Sequence, residues 1–313
     1  MTDRVGQVRG REGRSEASHA REKDSPREIR ALTSLLTDDD ERIAGMVWDN
    51  LVRLGSRALP FLAEAREDPD PRLRIRARYV TQRIQTDQLE RQFRHLAQRR
   101  GGSFDLEAAL CLVARIEYPD LDAPALAVEL DELAEGLRPQ LHEGEEAREK
   151  VALLCRYLFE EVGFEGDRDN YYDPDNCYLN QVLARRRGIP LSLAAVTILV
   201  GRRLGLPLYG IGLPKNFLVK YQDEKAEVFF DPYNGGRQLS REQCTQLLTS
   251  EGYYVRPSFV SDYLSIASPR DMVIRLLRQL ILTYSRARDR RRVRRLIRYV
   301  DILRMQQRPS AGR

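Results

Sequence analysis

Hydrophobic residues recur at helical spacing through most of the chain, so the pattern predicts a mostly helical protein. Short amphipathic units fill residues 27–98, and two more occupy residues 104–137 on either side of Tyr118-Pro119-Asp120. A further helix is predicted over residues 144–163. Residues 268–306 have the pattern of two antiparallel helices joined near Ala287–Asp289.

The pattern changes where a fully apolar run precedes three strand-like runs. IPLSLAAVTILVG (189–201) is apolar on every side, which predicts a buried helix over Leu191–Leu204. Aromatic and aliphatic residues then predict strands near 207–213, 217–221 and 227–231. Ser240 and Gln243 form a capping box at the start of another helix. A buried helix on a small antiparallel sheet gives an α+β fold that is mostly α.

Composition and helical pattern divide the chain into segments. Residues 1–26 and 307–313 hold little to bury and are predicted to be disordered tails. The helical units of 27–98 resemble HEAT-type repeats, which bury their apolar faces against neighbouring units. The segment has room for about one and a half such repeats, so we expect a helical cap on a larger domain. QRRGGS (98–103) is the predicted linker between them.

Positive charge is concentrated in one segment. The chain has a formal net charge of +5, whereas RARDRRRVRRLIR (286–298) holds eight arginines and one aspartate and so carries +7. On a helical wheel, the apolar stripe of this segment is Val293, Leu296, Ile297 and Val300. A basic patch is predicted on its solvated side: Arg288, Arg291, Arg292, Arg295 and Arg298. Such a face could bind nucleic acid, but the segment has no nucleic-acid motif, so a solvated helix is the preferred interpretation.

Cysteine use and the start of the sequence favour a cytoplasmic protein. The four cysteines are far apart, which predicts reduced thiols and neither a disulfide framework nor a zinc site. The opening residues, MTDRVGQVRGREGR, have no apolar segment of the kind that secretory signals carry. The 13-residue apolar run at 189–201 is shorter than the ~20 residues that cross a bilayer. We therefore expect no membrane partner, no metal and no cofactor.

Three stretches occur in order and carry a family resemblance: DPDNCYLNQVLARRRGIPLSLAAV, RRLGLPLYGIGLPKNFLVKY and FFDPYNGGRQLSREQC. They resemble the transglutaminase-like superfamily, specifically the bacterial SirB-one N-terminal-domain family. The resemblance covers most of residues 103–306. It implies a papain-like α+β core at 103–255 and a tetratricopeptide-like helical hairpin at 268–306.

The resemblance also implies where catalytic residues would lie. Active members of the superfamily carry a cysteine nucleophile at the start of the buried helix, a histidine base on the next strand and an orienting aspartate on the following one. Pro190, Asn216 and Asp231 occupy those positions here, and many members of this branch also lack the nucleophile. An asparagine cannot accept the proton of a thiol, and residues 171–313 contain no histidine. The resemblance therefore implies a retained fold with a degenerate triad.

The leading hypothesis is a non-catalytic protein-interaction or regulatory module with an unidentified protein partner. One alternative is a cysteine-type hydrolase or acyltransferase that uses Cys177 with an unforeseen base; another is nucleic-acid binding through the basic patch. We expect Asp231 to cap the turn at Asn234-Gly235 and also to lie within direct or water-bridged hydrogen-bond reach of Asn216. The residues predicted to line the degenerate site are Asn176, Cys177, Asn180, Lys215, Asn216, Asp231 and Tyr233.

Overall fold

The computed structural model describes residues 25–99, 104–142, 144–250 and 260–305. They fall into two compact units, one up to Gln88 and one from Leu89 onward. Most of the two predicted tails and most of the predicted linker lie outside the described residues. None of the helices in the described part of the chain is long and apolar enough to cross a membrane.

The first unit is a set of helices with its own core. α1 begins at Pro26 because Ser25 forms a capping box with Glu28. Leu51 and Leu62 lie at the centre of the hydrophobic cluster of this unit. The HEAT-like identity of the segment stays a prediction. The helices are α1 (Pro26–Ser34), α2 (Glu41–Leu54), α3 (Leu59–Ala65) and α4 (Pro71–Gln98), and the division between the units falls within α4.

The second unit opens with helices whose starts are fixed by acidic residues. The side chains of Asp105 and Asp122 accept hydrogen bonds from backbone amides of the first turns of α5 and α6, and the predicted break at Tyr118-Pro119-Asp120 lies between these helices. The helix predicted over 144–163 begins at Ala147 and ends in a π-helical turn, Arg156–Glu161. The bounds are α5 (Leu106–Ala114), α6 (Ala123–Leu137), α7 (Ala147–Cys155) and α8 (Leu179–Arg185).

The fully apolar run forms α9 (Pro190–Arg203), which confirms the predicted buried helix to within one residue at each end. Every residue from Pro190 to Gly201 is buried. Proline suits the first helical position because the amide it lacks would have no intrahelical partner there. The hydroxyl of Ser192 accepts a hydrogen bond from the Ile189 amide at 3.0 Å and so completes the start of the helix.

The predicted strands form an antiparallel sheet, which within the described residues has the order β6-β5-β4-β3-β7. One face packs on α9 through side chains such as Val219 and Phe230. The opposite face, which includes Phe229, packs on α10 (Arg241–Ser250). Ser240 and Gln243 form the expected capping box of α10. The strands are β3 (Leu208–Ile211), β4 (Leu218–Gln222), β5 (Glu227–Asp231), β6 (Arg237–Leu239) and β7 (Ile266–Ala267); a separate parallel pair consists of β1 (Glu165–Gly166) and β2 (Arg187–Gly188).

The C-terminal helices follow a short helix, α11 (Val260–Tyr263). α12 (Pro269–Arg286) and α13 (Arg290–Met305) form the predicted hairpin and pack against each other. The ring of Tyr299 in α13 stacks on Phe93 of α4 with centroids 4.5 Å apart. The hydroxyls of Tyr284 and Tyr178 share a hydrogen bond of 2.9 Å. The hairpin therefore belongs to the same hydrophobic cluster as α9 and the sheet.

Candidate functional site

Pro190 lies at the first position of α9, where the resemblance places a nucleophile. Its ring has neither a thiol nor a backbone N–H. Ser192, the nearest hydroxyl along the helix, donates to the backbone oxygen of Asn176 at 2.6 Å and accepts from the Ile189 amide. Since the Ser192 hydroxyl is used both as donor and as acceptor, it holds the preceding loop to the start of α9.

Asn216 lies in the loop between β3 and β4, beside Lys215, whose backbone has a left-handed φ of 57°. The guanidinium of Arg275, from α12, donates to the backbone oxygens of Asn216 (2.8 Å) and Leu213. Arg275 also lies over the Phe217 ring, 5.4 Å from its centroid. Burial lowers the pKa of Arg275. The loop is thus held through its backbone by a half-buried arginine.

Asp231 ends β5 and is 6% exposed. One carboxylate oxygen accepts from the amides of Tyr233 (3.0 Å) and Asn234 (3.3 Å), and the other accepts from the Asn234 side chain (2.7 Å). The carboxylate thereby caps the turn Pro232–Asn234, as the sequence indicated. Among the described residues, no direct hydrogen bond joins Asn216 to Asp231, and the hydrogen bonds that Asp231 accepts through its side chain come from its own turn.

Tyr233 and Tyr171 connect this turn to the loop before α8. The Tyr233 hydroxyl donates to the backbone oxygen of Asp167 at 3.1 Å, and its ring meets Tyr171 edge-on at 6.2 Å. Burial raises the pKa of Tyr171, with smaller contributions from Tyr233 and Cys177, while Arg275 opposes the shift. Cys177, Tyr233 and Arg275 therefore all lie within electrostatic reach of Tyr171.

Cys177 ends the 3₁₀ turn Pro174–Cys177 and is 2% exposed. Its pKa is raised well above the usual range of a thiol, first by burial and then by the carboxylates of Asp173 and Asp175. A catalytic thiol needs the opposite environment, in which a nearby cation or helix N-terminus stabilises the thiolate. Within the described part of the chain, no hydrogen bond joins the Cys177 thiol to the side chain of His95 or His142. The Cys177 thiol is therefore protonated at neutral pH.

Asn176 is fully buried and organises the same loop. Its side-chain nitrogen donates to the Asp167 carboxylate (3.1 Å) and to the Asn170 backbone oxygen (2.8 Å). Neither asparagine caps α8, because Tyr178 precedes the first residue of that helix and no side chain caps it. The side-chain oxygens of both asparagines are buried without a hydrogen-bond partner in the described structure.

The elements that build the candidate site also match a known protein family. The start of α9, the strand that follows the Asn216 loop and the capped turn occur in one continuous segment, and residues 125–278 match the model of the transglutaminase-like superfamily. This segment, just under half of the chain, is therefore similar to a transglutaminase-like domain. The matched residues include Pro190, Asn216 and Asp231, the three positions at which the resemblance places the catalytic residues.

Curated relatives extend the match beyond the transglutaminase-like domain. A UPF0162 protein of Xylella fastidiosa (strain 9a5c) is 39% identical over 182 residues, which are 58% of this chain and 65% of that protein. A UPF0162 protein of Vibrio cholerae is 36% identical over 135 residues, 43% of this chain and 47% of that protein. F-box only protein 21 of Mus musculus is 33% identical over 99 residues, 29% of this chain and 16% of that protein.

The chain thus spans less than two thirds of the length of these curated relatives. No solved structure matches the chain. Among the described residues there is no group of three histidine, cysteine or acidic side chains arranged to hold a metal ion.

The predicted basic patch is partly neutralised by the chain itself. Arg292 forms hydrogen-bonded ion pairs with Glu117 and with Asp289 (2.7 Å). Arg295 donates to the Ile116 backbone oxygen at 2.8 Å. Further along α13, the guanidinium of Arg298 lies 3.6 Å from the Glu90 carboxylate. The expectation that these arginines lie on open solvated arcs is wrong for Arg292 and Arg295, which hold α13 to the end of α5.

The helical wheel placed Leu296 and Val300 correctly on the buried face of α13, but it misplaced Ile297 and omitted Tyr299. Ile297 is 44% exposed, whereas Tyr299 is fully buried. The buried face is turned toward Tyr299 because its ring stacks on Phe93, a contact that a local wheel does not include. Arg288 and Arg291 are exposed and lie near the turn between α12 and α13.

The sequence pattern assigned no role to Arg275. A signal for Arg275 is present in MVIRLLRQLIL, where an arginine interrupts the apolar part of a helix. A charged residue in such a position usually has a specific partner. The partners are backbone oxygens of a distant loop, and the sequence pattern does not identify them.

Proposed function

We propose that this protein is a non-catalytic, cytosolic interaction or regulatory module built on a degenerate transglutaminase-like fold of the SirB-one type. The observation that carries the proposal is the state of Asp231, the one triad position that keeps the family's residue. Both of its oxygens accept hydrogen bonds from its own turn, and within the described residues none comes from Asn216. The proposal also assigns the flanking segments 27–98 and 268–306 as HEAT-like and tetratricopeptide-like helical segments.

The buried state of Cys177 supports the same proposal. Its raised pKa leaves the sulfur as a neutral thiol, and the side chains that influence it most are carboxylates, which oppose thiolate formation. A hydrolase that uses Cys177 would need both a base and a route for the substrate to a side chain that is 2% exposed.

The mouth of the site offers a surface for a protein partner. Tyr172 is 41% exposed, and the Arg286 guanidinium stacks over its ring at 3.6 Å. Tyrosine and arginine are enriched among the residues that dominate the energy of protein interfaces. We infer that Tyr172 and Arg286 contribute to partner binding, next to the tyrosines that line the degenerate site.

Activity measurements test the non-catalytic proposal. The intact protein and Cys177→Ala would be assayed on activated esters, on peptide amides and for acyl transfer to amines. We expect both proteins to give the same background rate. A rate that is present in the intact protein and lost in Cys177→Ala would overturn the proposal in favour of a cysteine hydrolase or acyltransferase.

A second experiment tests the binding surface. Proteins captured by the intact chain from a lysate of its native host would be compared with those captured by the Tyr172→Ala/Arg286→Ala variant. Tyr209→Ala is the control, because Tyr209 is 38% exposed and lies on β3. A partner retained by the control and lost by the double variant supports the surface; equal capture by all three proteins contradicts it.

A further inference from the structure

A cavity of about 660 Å³ lies among α4, α5 and α6, and none of the residues of the degenerate site lines it. Its walls are mostly apolar and include Leu96, Leu112 and Ala127, together with the sulfur-bearing residue Cys111. Pockets of several hundred Å³ with apolar walls and a few polar groups are typical of small-molecule sites.

Basic side chains surround this cavity. Arg91, His95 and Arg99 line it from α4 and its end, and Arg115 lines it from the end of α5. In the described residues, no carboxylate pairs with the side chain of Arg91, His95 or Arg99. The Arg115 guanidinium donates one hydrogen bond, to the Leu121 backbone oxygen at 3.3 Å, while its Nε atom is buried and has no acceptor.

The two carboxylates of the cavity already have partners. Asp105 accepts from the amides of Glu107 and Ala108 at the start of α5. Glu107 forms a two-bond ion pair with Arg203, at 2.8 and 3.1 Å. Because these negative charges are bound elsewhere, the charge that the cavity presents to a ligand is positive.

We propose that this cavity binds a small molecule that carries one anionic head group on an apolar chain. The anion would accept from Arg115 Nε and pair with Arg91 and Arg99, since buried donors and clustered cations require acceptors. The apolar chain of the ligand would replace water along the apolar wall of the cavity. A neutral apolar ligand leaves the buried Nε unsatisfied, and a nucleotide would place charge against apolar side chains.

Calorimetric titration with decanoate tests whether binding depends on an anionic head group, and decanol is the uncharged control. Decanoate is expected to bind and decanol to bind at least about tenfold more weakly, because one charge-assisted hydrogen bond is worth about this factor. Arg91→Gln should weaken decanoate binding about tenfold, whereas Arg202→Gln, an exposed arginine outside the cavity, should not change it. Tighter binding of decyl phosphate would support the same site with a phosphate head group.

A substitution that fills the cavity tests whether the ligand binds there. Ala108 is exposed at the edge of the cavity, so Ala108→Phe can fill the site without disturbing the core, and it should abolish decanoate binding. Ala152→Phe, an equivalent change on α7, is the control and should bind as the intact protein does. Decanoate should also slow the labelling of Cys111 by a neutral maleimide, read by peptide mass spectrometry. Unchanged affinity in Ala108→Phe, equal binding of decanol and decanoate, or no decanoate binding would overturn the proposal.

Discussion

Arg275 is the residue on which the loop before β4 depends. Its guanidinium donates to two backbone oxygens of that loop and covers the ring of Phe217. Since burial lowers its pKa, the charged form is held against a desolvation cost by these carbonyl contacts. The loop that carries Asn216 therefore keeps its shape through an element far along the chain, not through a triad hydrogen bond.

Arg275→Leu is expected to destabilise the second unit. The loss of two hydrogen bonds from a charged donor should lower the free energy of unfolding by about 2–3 kcal/mol. For a domain of this size the melting temperature should fall by several degrees, which differential scanning calorimetry would measure. Arg202→Leu is the control, because that arginine is exposed. Equal melting temperatures for both variants would show that the Arg275 contacts do not stabilise the loop.

Asp231 and Asn216 should differ in their contribution to stability. Asp231→Ala removes the acceptor of three hydrogen bonds in the turn and should cost about 1–2 kcal/mol, as for other capping side chains. Asn216→Ala should cost less, because the loop is held through the Asn216 backbone oxygen. Urea unfolding of the two variants measures which substitution lowers the free energy of unfolding more. A larger loss for Asn216→Ala would indicate that its side chain binds Asp231 after all, through water.

At the scale of elements, the short strands are positioned by close approaches to their neighbours. β1 lies so near the turn after β5 that a Cβ atom on Gly166 would meet the Tyr233 ring at 2.5 Å and its backbone oxygen at 2.8 Å. The turn itself approaches α7, since a Cβ atom on Gly236 would meet Cys155 at 2.5 Å. The turn that Asp231 caps is thus enclosed between β1 and α7.

Gly166→Ala should therefore separate β1 from this turn. The added methyl group must displace a backbone oxygen, which a side-chain rotation cannot relieve, so we expect the free energy of unfolding to fall by about 1–3 kcal/mol.

Gly45→Ala is expected to raise the free energy of unfolding instead. Gly45 lies inside α2 with no atom within 4 Å of an added Cβ, so alanine should stabilise its helix by about 0.5–1 kcal/mol. Hydrogen exchange of α2 and of the Tyr233 turn would report the two effects separately.

Local pattern was enough to predict the elements that have a strong period of their own. The apolar run gave α9, and the three aromatic runs gave β3, β4 and β5 within a few residues. β7 was missed, because a two-residue strand has no period and forms only by pairing with β3. The Asp231 cap was predictable because its partners are two and three residues away. The role of Arg275 was not, because its acceptors are about sixty residues distant.

At the scale of the whole molecule, buried thiols make the stability depend on alkaline pH. Burial raises the pKa of Cys111 and Cys244 to about 11 and that of Cys155 to about 12. An unfolded thiol loses its proton near pH 8.5, so between that pH and the folded values the unfolded state binds fewer protons than the folded state. The contribution of the protonated thiols to the free energy of unfolding is therefore fully present below about pH 8.5 and is lost as the pH rises toward the folded values.

Denaturant unfolding at pH 7, 9 and 10 measures this dependence. Each buried thiol should contribute a slope of up to about 1.4 kcal/mol per pH unit above pH 8.5. A Cys111→Ala/Cys155→Ala variant should begin less stable but lose stability with a shallower slope. Parallel slopes in the two proteins would show that these thiols do not titrate on unfolding.

The contact between Phe93 and Tyr299 has a consequence for biosynthesis. A ribosome that adds about 5–20 residues per second needs on the order of 10–40 s to make the roughly 200 residues between them. During that interval the emerging chain carries the Phe93 side of α4 without the ring that stacks on it. A chaperone that shields apolar surface has its longest opportunity then, and a premature stop codon before Tyr299 would leave that surface permanently uncovered.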